Sequence, residues 1–231
     1  MPFNSDARQT IETYVTGHLR PRDWYDSFFD FVADVELARR LGREFYTARY
    51  VYKLLEGLSA VDDLLTAQVK IQVLQYSSIY EAVVHHVLFD LLSDAPEVQS
   101  LLTYQSLKTY SVPSAMKEKI DSLVHDERAI VPAFIASSKI DKSKVRFDDK
   151  IRCASQLGLI TEWLATELVT LYEARNSIHL HAEIKKDIAW KIEISGTAYW
   201  RLQPFREQVI DGLHTRDMCP CGKSRARHVL T

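Results

Sequence analysis

The sequence predicts an all-α fold, a helical bundle built on two long helices. Three observations predict it. Apolar residues recur at steps of three and four along most of the chain, which is the period of a helix buried on one face. Only 7 Gly and 7 Pro occur in 231 residues, too few for a loop-rich β fold or a low-complexity chain. No internal repeat and no long linker breaks the pattern, and a chain of this length buries a substantial core.

The first helix is expected over "SDARQTIETYVTGHL", with Ser5 or Asp6 as its cap and Ile11, Tyr14 and Val15 on one face. "RDWYDSFFDFVADVELARRL" and "REFYTARYVYKLLEGL" repeat aromatics at helical spacing: Phe28, Phe29 and Phe31, then Phe45, Tyr46, Tyr50 and Tyr52. Such stripes read as core. The longest helix is expected from Val61 to Leu92, where Val69, Val73, Tyr76, Tyr80, Val84, Val87 and Leu91 form one seam. Pro96 in "SDAPEV" marks its end.

The middle of the chain is less regular. Pro113 marks a connection before a helix around Met116–His125, and "AIVPAFIASSKIDKSKVRF" reads as a short hairpin or an ordered loop. "FDDKIRCASQLGLI" resumes helix with Asp148 as cap, and Gly158 separates it from the next helix. A final pair is expected in "KDIAWKIEISGTAYW" and "PFREQVIDGLH", with Pro204 in a first turn. Three spans follow: an N-terminal helical extension over 1–60, a bundle over 61–210 and a Cys/His tail over 211–231.

Charge and cysteine usage exclude several classes. A net charge of −2 gives no global attraction to nucleic acid, so any such contact needs a local patch. Three cysteines cannot build a disulfide framework. "MPFNSDARQT" has no apolar leader core, and no apolar run reaches the length of a membrane span. The expectation is a cytoplasmic protein with no membrane partner.

The stretch "YEARNSIHLHAE" carries the chemistry. From Ile160, the positions Leu164, Leu168, Leu171, Arg175, Ile178 and Ala182 follow at helical steps, so Arg175 continues an apolar seam. A guanidinium there needs a carboxylate, a phosphate or a partner subunit, because an unpaired buried charge is costly. His179 lies one turn further on, and His181 on the other flank if the helix persists. Asn176 suits either a helix end or an orienting amide.

Arg175-Asn176-Ser177-Ile178-His179-Leu180-His181 resembles the Arg–(four to six residues)–His signature of HEPN domains, in which Asn often follows the Arg. Five residues separate Arg175 from His181, inside that range, and three separate it from His179. "YSSIYEAVVHHVLFDLL" is similar to the other core helix of that fold. The resemblance implies a HEPN-type bundle with extra N-terminal helices. It implies a metal-independent endoribonuclease that pairs two copies of the motif across a two-fold axis, as a toxin or antiphage-defence effector. Arg175 would stabilise the phosphate and transition state, His181 would move protons, and Asn176 would orient, with His179 in reserve. No cofactor is implied for catalysis. The partners implied are RNA, a second copy, and an antitoxin or defence-system protein. Some HEPN domains do not cleave, which leaves a binding module or a subunit partnering a nucleotidyltransferase as the alternative. A purely structural helical adaptor is a further one.

Three other groups are candidates. Glu81 shares a polar face with Ser77 and His85, and either pairs with Arg175 across the bundle, helps bind substrate, or faces solvent. "KIDKSKVRFDDKIR" offers Lys142, Lys144 and Arg146 for an RNA backbone, or is an ordinary solvated face of mixed charge. In "HTRDMCPCGKSRARHVLT", His214, Cys219, Cys221 and His228 are zinc-compatible. "CPCGKS…H" resembles the start of the SEC-C zinc motif, but only His228 stands where a second ligand pair belongs. The tail therefore reads as a structural zinc site completed by His214 or a partner, or as a basic peptide.

Overall fold

The computed structural model describes residues 2–186 and 188–220. It is mostly helical and forms two compact units. Residues up to 93 and from 146 onward make one, and residues 94–145 the other.

The first unit opens with α1 (Ser5–Gly17). Its cap is Asn4, not Ser5 or Asp6: the Asn4 side-chain oxygen accepts from Ala7 N–H at 2.8 Å. α2 (Arg22–Ser27) stops before the first aromatic stripe, whose Phe28, Phe29 and Phe31 lie in the turn that follows, and α3 (Val35–Gly57) carries the second. Phe28, Phe29, Phe31 and Phe45 are buried, with Phe45 at the centre of edge-on contacts to Tyr25, Phe28 and Tyr76. α4 (Asp62–His86) packs against α3, and its seam residues Val69, Val73, Tyr76, Tyr80 and Val84 are buried. Tyr80 donates to Ala198 O at 2.7 Å, which satisfies its hydroxyl inside the core. The helix ends in one π turn over Val87–Leu91, so its α-helical part stops short of Leu92.

The second unit starts with α5 (Pro96–Leu101). Pro96 opens a helix rather than merely closing one, since its missing N–H falls where no intrahelical bond is made. β1 (Thr103–Thr109) follows, then α6 (Ser114–Asp121), β2 (Val124–His125), β3 (Arg128–Ala129) and β4 (Ala133–Lys139). β1 and β4 pair antiparallel, from Thr103 opposite Lys139 to Thr109 opposite Ala133. "AFIASSK" thus forms a strand, but its partner is "TYQSLKT", thirty residues upstream, for which the sequence predicts no element. The expected helix around Met116–His125 stops at Asp121 because Val124 and His125 pair with Ala129 and Arg128.

The β2–β3 turn has Asp126 at φ 48° and Glu127 at φ 61°. Two successive left-handed residues match the type I′ hairpin turn, which favours Asn-Gly. The side chain at each costs roughly 1 kcal/mol there. We expect the double substitution Asp126→Asn, Glu127→Gly to stabilise this hairpin by about 1 kcal/mol, read as slower exchange of the Arg128 amide. Unchanged or faster exchange would rule out strain in the turn.

The first unit resumes with α7 (Phe147–Gln156), α8 (Glu162–Asn176), α9 (Leu180–Lys186), α10 (Ile192–Trp200) and α11 (Leu202–Thr215). Asp148 is not the α7 cap but a first-turn acid, paired with Arg146 at 3.0 Å and Arg152 at 2.8 Å. Gly158, at φ 67°, ends α7: its N–H bonds Ser155 O while Leu159 N–H bonds Ala154 O. Pro204 lies in the first turn of α11, as expected. α4 packs on α7, α8 and α10 as well as α3, so it is the central post of this unit.

Candidate functional site

Thr161 caps α8 through Leu164 N–H at 3.4 Å, and Leu164, Leu168 and Leu171 are buried. Arg175 continues that seam, and the helix closes immediately after it. Ser177 N–H bonds Ala174 O at 2.9 Å, and its hydroxyl donates to Glu173 O at 2.8 Å. α9 then starts afresh, with the His179 carbonyl accepting from Ala182 and Glu183 N–H at 2.8 and 2.9 Å. The helix therefore does not persist to His181, and Arg175 and His181 stand on different helices.

Arg175 is half-buried and lies over the Tyr172 ring at 5.0 Å. Its Nη1 donates to Tyr172 Oη at 3.2 Å and to Asn176 Oδ1 at 3.1 Å. Among the described residues no acceptor bonds its Nε or Nη2, so half of the donor fork is uncommitted. The Tyr172 hydroxyl donates to Glu81 Oε2 at 3.3 Å, and Glu81 Oε1 lies 3.7 Å from Lys150 Nζ. Glu81 thus reaches Arg175 only through Tyr172, and its ionic partner is Lys150. The face that Glu81 occupies is partly buried, its side chain 30% exposed against 3% for Lys150.

Burial pushes the Lys150 ammonium below its usual pKa, with the Glu81 charge opposing. Burial raises the Tyr172 phenol, and Glu81 raises it further. Phe147 stacks on Tyr172 at 4.3 Å and 22°, which fixes the ring that carries Arg175. Both aromatics, with Arg146 and Asn176, line a cleft of about 260 Å³.

Removing Glu81 strands the buried Lys150 charge. Glu81→Ala is expected to destabilise by roughly 3 kcal/mol, the low end for breaking a buried pair because Glu81 is partly exposed. The sign of its pH dependence follows from the lowered Lys150 pKa. Between the folded value and the unfolded one the unfolded chain holds more protons, so stability rises with pH through that window. The Glu81→Ala defect should therefore shrink as pH is raised toward 10, measured by urea unfolding. A defect that is constant or grows would mean that Lys150 is not the stranded group.

His179 and His181 are both exposed, and among the described residues neither ring hydrogen-bonds to the protein. α9 is held on α4 by the Lys70–Glu183 ion pair at 2.7 Å, and Trp190 Nε1 donates to Glu183 at 2.7 Å. Glu183 faces the bundle, so His181, two positions earlier, is turned away from it. Beneath the turn, Ile178 and Ala174 pack on Val69, Val73 and Trp190.

Arg146 is spent on Asp148, and lies in the first unit with the motif. Lys142 and Lys144 form an exposed 3₁₀ turn in the second unit. Cys219 and His214 are half-buried, while Cys221 and His228 lie outside the described residues. Among the described residues no group of three or more His, Cys, Asp or Glu side chains is arranged to hold a metal.

The sequence points to neither Tyr172 nor Phe147 as a site residue, and it offers Lys150 only as one cation of the basic segment, whereas the structure buries it. Tyr172 was legible as the i−3 neighbour of Arg175. Lys150 sits at helical steps from Phe147 and Ala154 on the apolar face of α7, the same anomaly that drew attention to Arg175. Compared with known proteins, the chain matches no family model, no curated protein and no solved structure.

Proposed function

We propose that this chain is a metal-independent endoribonuclease of HEPN type, a toxin or antiphage-defence effector acting as a homodimer. The observation that carries the reading is the half-buried Arg175, pinned on one edge by Tyr172 and Asn176 and open on the other. A guanidinium so held offers two parallel N–H groups to a phosphate and to the charge that develops during cleavage. His179, in the turn after α8, and His181, in the first turn of α9, are both exposed and are the proton-transfer groups, since an imidazole ring can both accept and donate a proton. The 2′-hydroxyl loses its proton and attacks the adjacent phosphorus. The 5′-oxygen leaves and takes up a proton, giving a 2′,3′-cyclic phosphate.

A second copy of the chain would supply the opposing histidine. Ile184, one turn from His181, is 80% exposed, an apolar side chain beside the motif that a partner would cover. The test is purified protein with total RNA in EDTA. Fragmentation that persists without metal supports the proposal, and intact RNA at micromolar protein overturns it.

One observation favours a second reading, a non-cleaving HEPN-like module that partners a nucleotidyltransferase or another defence protein. Arg175 and His181 are on separate helices, and no hydrogen bond joins them among the described residues. Intact RNA together with a stable complex would select it.

A further inference from the structure

Between α3, α4 and α10 lies an open cleft of about 250 Å³, lined by Arg49, Tyr52, Lys53, Gln72, Tyr199 and Trp200. It contains none of the motif residues. Arg49 and Lys53 are one turn apart on α3 and share a face. The Arg49 guanidinium is clamped over two rings, 4.1 Å from the Tyr199 centroid and 4.9 Å from Tyr52. Its charge also acts on the buried Tyr76 hydroxyl, but among the described residues it has no carboxylate partner. Lys53 does have one, Glu56 at 2.5 Å, which lines the same cleft, so two cations against one carboxylate leave a single excess positive charge.

Gln72 supplies a second, independent observation. It is 1% exposed, and its Nε2 donates to Ala48 O at 2.9 Å, which fixes the amide's orientation. Its Oε1 is buried and, among the described residues, has no hydrogen-bond donor. A buried acceptor left unmatched is costly, and Gln72 lines the cleft, so an occupant that brings an N–H or O–H group to this amide gains a bond the protein does not supply. Trp200 is exposed at the rim and meets Tyr199 edge-on at 4.9 Å, presenting a flat apolar surface.

We propose that this cleft is a binding site for a mononucleotide. The phosphate lies against Arg49 and Lys53, where a rigid guanidinium fork matches its oxygens. A base N–H reaches Gln72 Oε1, and the base face stacks on the Trp200 side of the cleft. The volume is below the ~300–1,000 Å³ of drug-sized sites, which suits one nucleotide and not a longer ligand. The site stands apart from the ribonuclease proposal and holds whether or not the chain cuts RNA.

The test is calorimetric titration of the full chain with AMP, GMP, CMP and UMP, with inorganic phosphate and the four nucleosides as separate arms. At least one nucleotide should bind at one per chain, at least ~10-fold more tightly than phosphate or its own nucleoside, since each half supplies part of the affinity. Arg49→Met and Gln72→Met should each weaken that nucleotide ~10-fold or more, and Trp200→Ala, at an exposed position that leaves the core intact, should weaken it too. Melting curves on the same samples separate lost binding from lost folding. No saturable binding up to millimolar nucleotide would overturn the site. So would affinity unchanged by all three substitutions, or phosphate or nucleoside binding as tightly as any nucleotide.

Discussion

Arg175→Ala and His181→Ala are each expected to abolish RNA cleavage while leaving the chain folded. Losing a positioned acid/base group costs about 10²–10⁴-fold in rate, and losing a transition-state charge donor about 10²–10³-fold. Folding should survive because, among the described residues, Arg175 donates only to a phenol and an amide and strands no carboxylate: Glu81 keeps Lys150. His181 is exposed and should be neutral for stability. His179→Ala should act more weakly, since three residues is a short interval for the motif and its backbone, not its ring, shapes the turn. Tyr172→Phe makes a finer variant, keeping the stack on Phe147 while cutting the bridge to Glu81. The measurement is cleavage rate and urea midpoint on the same preparations. An Arg175→Ala protein that cuts at the wild-type rate, or that loses activity only by unfolding, removes the catalytic assignment.

A large stability effect should come from a residue remote from this motif. Arg206 on α11 is 1% exposed. Its Nε donates to Phe28 O at 2.7 Å, its Nη2 to Asp30 Oδ1 at 3.0 Å, and its guanidinium lies 5.5 Å from the Phe28 ring centre. One side chain thus ties the C-terminal helix to the turn after α2. Arg206→Met keeps much of the volume but removes the guanidinium from the Phe28 carbonyl and the partly exposed Asp30 carboxylate, at a cost of roughly 3 kcal/mol. Arg206→Lys should recover only part of this, because a single ammonium cannot reproduce two divergent N–H bonds. Urea unfolding should show a lower midpoint at unchanged slope. A loss under about 1 kcal/mol would mean that water replaces the guanidinium, and that the N-terminal segments are not fixed by it.

How far the sequence carries depends on whether the information is local. The seam of α4, the buried Phe45 of α3 and the first-turn Pro204 lie where helical period puts them, whereas Phe28, Phe29 and Phe31 are buried as expected but from a turn. β1 was not legible, because "TYQSLKT" becomes a strand only by pairing with β4, and pairing over thirty residues leaves no local mark. The first cap, Asn4, precedes the expected Ser5 or Asp6, since Asn, Ser and Asp stand in a row and all are good caps. At the site, period placed Arg175 on the seam but could not show that α8 stops at Asn176. No glycine or proline marks that stop. It is made by Ser177 folding back on Glu173 and Ala174, and by Ile178 seating on Val69 and Val73. For Glu81 the sequence leaves Arg175, a substrate or solvent open and does not offer Lys150, because which cation faces it depends on how α7 crosses α4.

The central claim is that the chain cuts RNA through the 2′-hydroxyl with the Arg175 motif. It is tested most directly with one cleavable RNA and the same sequence fully 2′-O-methylated, both incubated with the protein in EDTA, the product ends being identified by mass. The account predicts that the RNA is cut to fragments ending in 2′,3′-cyclic phosphate, that the methylated strand stays intact, and that Arg175→Ala cuts neither. Cleavage of the methylated strand, or an uncut RNA in the presence of folded wild-type protein, would contradict it.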